Sequence, residues 1–264
     1  MTQKSLAASL HCSSFSSASN ARRATRRATW GNLLVALATE QRRSHTRRIA
    51  VAQRKGGVGK TTIAISIAAE LSQRGDDVVL IDADPVRSAC QWAALGGLRF
   101  PVRELTFSAR RPVADWAAAV RRLHNEVVVI DTPPSDDSLA AAIALADIAV
   151  IPVLPSGLDL EATSRTLEIV GAVRARRADN VHVVLVPNRV DRRTLEGRQL
   201  VEEMEEYGEI IAPPIGSRTA FVRAFSMGNS VGEFDPHGQG ICEIRDLCDV
   251  VEQCLQGEGP ARPV

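Results

Sequence analysis

Short, continuously apolar, β-branched runs recur along this chain, and each is followed by a longer segment of helical character. The clearest are "VVLID" (78–82), "EVVVID" (126–131), "IAVIPV" (148–153) and "VHVVLVP" (181–187). A strand apolar at every position has no face to give to water. It must be covered on both sides, which is the situation of a parallel sheet between two layers of helices. A strand with one wet face would instead alternate apolar and polar residues. "IAVAQ" (49–53) opens the series, and "FPVREL" (100–105) and "EIIA" (209–212) are weaker members. Helices are predicted after the glycine loop at 56–59 up to Gly75, with Ile63, Ile67, Ala68 and Leu71 at helical spacing. Further helices are predicted around 113–124, after Ser138, over 159–177, over 192–206 and over about 239–256. The fold class expected is α/β: a single three-layer domain, 49–256, with a mostly parallel sheet flanked by helices.

Aromatics make up 4% of the residues, so the core of such a domain must be aliphatic. No apolar run approaches the ~18 residues of a membrane-crossing helix. The five cysteines (Cys12, Cys90, Cys242, Cys248, Cys254) contain no C-x-x-C pair and are read as reduced thiols of a cytoplasmic protein. Cys242, Cys248 and Cys254 recur at six-residue steps, which spreads them over different faces of a helix rather than gathering them for a metal. Charge is unevenly distributed. Residues 1–48 hold nine Lys/Arg against Glu40 alone, a charge of +8; with 32 basic and 31 acidic residues in all, the remainder carries −7. The Ser/Ala/Arg-rich segment 1–48 cannot bury a core and is expected to be disordered, apart from a short helix over "WGNLLVALATE" (30–40). Three readings fit this tail. It is an unstructured extension or a start assigned too far upstream, an electrostatic arm for nucleic acid, or an organelle transit peptide. Residues 257–264 are expected to be a flexible C-terminus.

The segment "AQRKGGVGKTTIA" (52–64) stands where the first strand ends and a helix begins. Gly56, Gly57, Val58 and Gly59 form a loop whose backbone N–H groups can turn inward around phosphate oxygens. The helix N-terminus adds partial positive charge. Lys60 supplies a mobile charge for β/γ-phosphates, Thr61 a hydroxyl for Mg²⁺, and Thr62 a hydrogen bond to a phosphate nearer the sugar. The match to G-x-x-x-x-G-K-[ST] is incomplete, because Arg54 stands where the first glycine belongs. Two other strand ends support the assignment. "VVLIDADP" places Asp82 and Asp84 at one, and "VVVIDTPP" places Asp131 at another. In open α/β sheets ligands bind beyond the C-terminal strand ends, so these carboxylates are expected beside the glycine loop. Asp131 has the pattern of a Walker B residue that holds Mg²⁺ through water, and Asp84 that of a residue orienting the attacking water.

Lysine usage adds a second constraint. The chain has three lysines, Lys4, Lys55 and Lys60, and two of them fall in this loop. One lysine is enough to cradle one triphosphate. With "KGGVGKTT", "DADP", "VVVIDTPP" and "IGSRTAFVRAFSMGNSVGEFDP" (215–236), the chain resembles the deviant Walker A ATPases of the ParA/MinD family (SIMIBI class), short ParA type. The resemblance covers roughly 49–256. It implies an ATPase using ATP and Mg²⁺, with Lys55 reaching across an ATP-sandwich homodimer to the partner's nucleotide. It places Asp84 in switch I, Asp131 in Walker B/switch II, and Asn188 of "PNRVD" against the base. It further implies ATP-dependent, non-specific DNA binding, a nucleoid-associated location, and a ParB-like or other small adaptor that stimulates hydrolysis. The cargo is then plasmid or chromosome DNA, or a protein body such as carboxysomes or chemoreceptor clusters.

Departures narrow the choice. "QGEGPARPV" (256–264) cannot form the amphipathic membrane helix of a MinD protein, so no membrane partner is expected. The alternative, an assembly or metal-cluster carrier ATPase of the same superclass, would need a C-x-x-C or cysteines near the nucleotide site, and neither is expected here. Because non-specific DNA affinity rests on phosphate neutralisation, a basic surface is required on the acidic body or its tail. The candidates are the tail arginines, "RARR" (174–177), Arg218, Arg223 and Arg245.

Overall fold

A computed structural model of the protein describes residues 46–107 and 113–256. The tail up to residue 45, with the helix predicted over 30–40, and residues 257–264 lie outside the described residues. Seven parallel strands form one sheet: β1 (Arg47–Val51), β2 (Val78–Asp82), β3 (Val102–Glu104), β4 (Val127–Asp131), β5 (Ile148–Val153), β6 (His182–Pro187) and β7 (Ile210–Ile211). Their order is β3-β2-β4-β1-β5-β6-β7, so the first strand is central and the chain builds outward from it in both directions. Helices are α1 (Lys60–Arg74), α2 (Ser88–Ala93), α3 (Val113–Arg121), α4 (Asp136–Leu145), α5 (Gly157–Arg174), α6 (Leu195–Glu205), α7 (Thr219–Met227), α8 (Val231–Phe234) and α9 (Gln239–Leu255).

The period of two along each strand divides the core. Ile49, Val51, Val78, Leu80, Val127 and Val129 pack on one face with Ile63, Ile67 and Leu71 of α1, Trp92 of α2 and Ile244, Leu247 and Val251 of α9. Ala50, Val79, Ile81, Val128 and Ile130 pack on the other with Trp116 of α3, Leu139 and Ile143 of α4, Val170 and Val173 of α5 and Leu200 of α6. β2, β4 and β5 are buried at every position, as their unbroken apolar runs require.

Element boundaries moved for local reasons. β1 begins at Arg47, where pairing with Val127 starts, and it ends at Val51; Gln53 lies beyond it, with its amide turned to Thr163 and Thr166 of α5. The helix expected after Ser138 starts at Asp136, with Asp136 and Asp137 in its first turn where the helix dipole favours acids. The helix expected over 159–177 covers Gly157–Arg174, capped by Ser156. The helix expected over 192–206 begins at Leu195, capped by Thr194. α2, α7 and α8 were not anticipated from the sequence; each is short, and none has an apolar stripe long enough to read.

Candidate nucleotide site

The C-terminal ends of β1, β2, β4, β6 and β7 open onto one cleft of about 810 Å³, within the range of small-molecule sites. Its floor is Gly56, Gly57, Gly59, Lys60, Thr61 and Thr62; its walls include Asp84, Pro134, Asn188, Arg189, Ser217, Arg218 and the aromatic rings of Trp92, Phe221 and Phe225. Gly59 must be glycine on two counts. Its φ is +95°, and a β-carbon there would lie 2.6 Å from the Asn188 amide nitrogen. Val58 is buried and turns its carbonyl to that same amide, which donates to it at 2.8 Å.

Lys60, 8% exposed, donates to the Lys55 carbonyl at 3.0 Å and so closes the loop on itself. Burial lowers its pKa, opposed by the charges of Asp131 and Asp84. Thr61 donates to one oxygen of Asp131 at 2.7 Å. The other Asp131 oxygen is buried without a hydrogen-bond partner. Burial pushes the Asp131 carboxyl up to about 7; the Thr61 bond opposes the rise, and the charge of Asp82 adds to it. A carboxylate with one orphaned oxygen beside a hydroxyl and a lysine is a donor set suited to a hard divalent cation. Thr61 and Asp131 are therefore the residues that could hold Mg²⁺.

The two acids after β2 have different tasks. Asp82 is fully buried, and its two oxygens accept from the backbone N–H groups of Asp84 and Cys90. It braces the turn into α2. Asp84 is half-buried and lines the cleft, with one oxygen accepting from Val86 N–H at 2.9 Å. It is the carboxylate of this turn that faces the cleft.

Lys55 does not face the cleft. Its ammonium lies 2.6 Å from Asp159 of α5, which is 1% exposed and also accepts from the Ser156 hydroxyl. The second Asp159 oxygen is buried without a hydrogen-bond partner. Arg54, in the position of the missing first glycine, pairs with Asp136 at 2.6 Å, and its N–H donates to Thr166. The loop is thus tied to α4 and α5 through its flanking side chains. Asp159, Arg189 and the aromatic wall were missed from the sequence; only Arg189, adjacent to Asn188, had a neighbour that could have flagged it.

The tail arginines up to Arg43 lie outside the described residues; of the candidates on the domain, Arg174, Arg177, Arg218 and Arg245 are engaged internally. Arg177, its side chain 1% exposed, donates to the carbonyls of Ile143, Ala144 and Ala146 at the end of α4. Arg174 binds the Val181 carbonyl and Glu209, Arg218 binds Glu243, and Arg245 lies 3.7 Å from Glu70. Arg176 and Arg223 are exposed. "RARR" is therefore mainly a helix-end clamp rather than a basic patch.

A phosphate-sized loop after the central strand, with acids converging from two neighbouring strand ends, defines a P-loop nucleotide-binding domain. The chain belongs to the CobQ/CobB/MinD/ParA nucleotide binding domain family, whose model matches residues 49–231. It is 32% identical over 217 residues to maintenance of carboxysome distribution protein A of Halothiobacillus neapolitanus, covering 78% of this chain and 94% of that one. It is 29% identical over 245 residues to the chromosome-partitioning ATPase Soj of Thermus thermophilus, covering 81% and 98%. An ATP complex of Cyanothece McdA shares the fold with a TM-score of 0.60 at 19% identity, covering 81% and 98%.

Proposed function

We propose that this protein is a ParA-like positioning ATPase. It dimerises on binding ATP, associates non-specifically with DNA, and is released when a small partner stimulates Mg²⁺-dependent hydrolysis. The observation that carries the reading is the loop with two lysines in different environments. Lys60 faces the phosphate floor, whereas Lys55 lies outside the cleft, where it has no work to do on its own chain's nucleotide. A second copy placed face to face gives Lys55 a target. Within one chain, the N–H groups of the loop and Lys60 bind and orient the triphosphate, and Asp84 holds the attacking water. Thr61 and Asp131 would hold Mg²⁺, which when bound would supply charge neutralisation to the phosphates. The cargo is inferred from the relatives: the name of the Halothiobacillus protein favours a protein compartment, and that of Soj a chromosome. No helix among the described residues is long and apolar enough to cross a membrane.

The test is gel filtration of wild type and Lys55→Ala with and without ATP. Wild type is expected to shift to a dimer in ATP, and the variant to stay monomeric while still binding nucleotide. A normal ATP dimer in Lys55→Ala would refute the role given to this lysine.

A further inference from the structure

The two sides of the cleft differ in chemistry. Strand order puts Asp84, after β2, and Asp131, at the end of β4, on one side of the β1 loop. It puts Asn188 and Arg189, after β6, and residues 216–218, after β7, on the other. Cation and water chemistry belongs on the carboxylate side, so the terminal phosphate points there and the nucleoside lies toward β6 and β7.

On that nucleoside side, Asn188 is already engaged. Its amide nitrogen donates to the Val58 carbonyl, and its oxygen accepts from the Arg189 N–H at 3.0 Å. Both contacts serve to buckle the phosphate loop onto β6 and to pin the next residue. Arg189 is held at φ +54°, and only one other non-glycine among the described residues has a positive φ. That backbone state is costly for a residue with a β-carbon, and such residues concentrate at binding sites. The Arg189 side chain is exposed, lines the cleft, and has no hydrogen-bond or ion-pair partner among the described residues. The other arginine on this wall, Arg218, is held by Glu243 at 2.5 and 2.9 Å. One planar cation is thus left over where a flat ring must sit.

We propose that Arg189 is the residue that covers the nucleobase, laying its guanidinium plane against the ring, while Asn188 acts on the phosphate loop. The inference rests on the nucleotide-binding reading above. Stacking uses the π face that every base carries, so Arg189 sets affinity for a nucleoside end rather than choice among bases.

The experiment is calorimetric titration of the nucleotide-free full-length protein with AMPPNP and with inorganic tripolyphosphate, both in Mg²⁺. Arg189→Gly removes the side chain and accepts the left-handed backbone, so its folding is not at issue. It is expected to weaken AMPPNP about tenfold and tripolyphosphate less than twofold. Arg189→Lys keeps the charge but not the plane, and is expected to stay within threefold of the glycine variant. Asn188→Ala is expected to weaken both ligands. Unchanged AMPPNP affinity in Arg189→Gly, equal losses for both ligands, or rescue by lysine would each overturn the proposal. Wild-type protein that binds AMPPNP no better than tripolyphosphate would overturn it too. If wild type bound neither ligand, the nucleotide reading itself would fall and this proposal with it.

Discussion

Asp131 offers a test of the site that needs no nucleotide. Its carboxyl is 1% exposed, with one oxygen unpartnered, and burial raises its pKa from 3.8 to about 7. A group whose folded-state pKa is raised binds protons more tightly in the native state. Its contribution to stability is therefore intact below the unfolded value and is lost as pH rises through about 7. The full loss corresponds to on the order of 4 kcal/mol. Of that, roughly 2–3 kcal/mol falls between pH 5 and pH 8. Asp131→Asn cannot ionise and escapes the loss. Its buried amide N–H group costs a pH-independent amount, which cancels when the two pH values are compared. Relative to wild type, the variant should gain roughly 2–3 kcal/mol from pH 5 to pH 8. For a domain of this size that is about 5–10 °C in relative Tm. Thermal denaturation of both proteins at the two pH values, without nucleotide or divalent cation, measures the difference. A variant that gains nothing on wild type between pH 5 and pH 8, or loses ground to it, would refute the reading of Asp131 as a carboxylate strained by burial.

Three further outcomes follow from the geometry. Gly59→Ala should lose nucleotide binding and about 1–3 kcal/mol of stability, because its β-carbon would strain the backbone and collide with Asn188; nucleotide titration and urea unfolding read the two effects. Arg177→Ala should cost about 2–4 kcal/mol by taking a donor from three helix-end carbonyls, of which that of Ile143 keeps the Ala146 N–H, while the salt dependence of DNA binding stays as in wild type. A lower salt slope in that variant would return Arg177 to the DNA surface. Asp159→Asn should free Lys55; because the chain has only three lysines, amine acylation followed by mass spectrometry reads Lys55 directly, and its labelling rate should rise several-fold. Equal labelling in both proteins would show that the ion pair does not hold the lysine in solution.

Much of the architecture was legible because its signals are local. Strands apolar on both faces have one home, and the glycine loop together with strand-terminal Asp84 and Asp131 lies within a few residues of readable strand ends. The short helices were not legible. α7 is nine residues long, and the backbone there follows packing of Ala224 and Phe221 against distant elements rather than a strong intrinsic preference. The arginines were legible as charges but not as contacts. Arg177 and Arg223 look alike in sequence, yet one is buried against helix-end carbonyls and the other is exposed.

The sequence by itself determined the layer order, the glycine loop after the first strand and the carboxylates at the neighbouring strand ends, since each depends on neighbours within a strand or a turn. Only the tertiary structure decided that Asp82 braces while Asp84 faces the cleft, that Asn188 buckles the loop and leaves Arg189 at the cleft, and that Lys55 rests on Asp159. The assignments of Lys55 and Asn188 depend on side chains that meet across 104 and 130 residues of chain, and strand order sets such meetings, not local spacing; that of Asp82 turns on its burial at the end of β2.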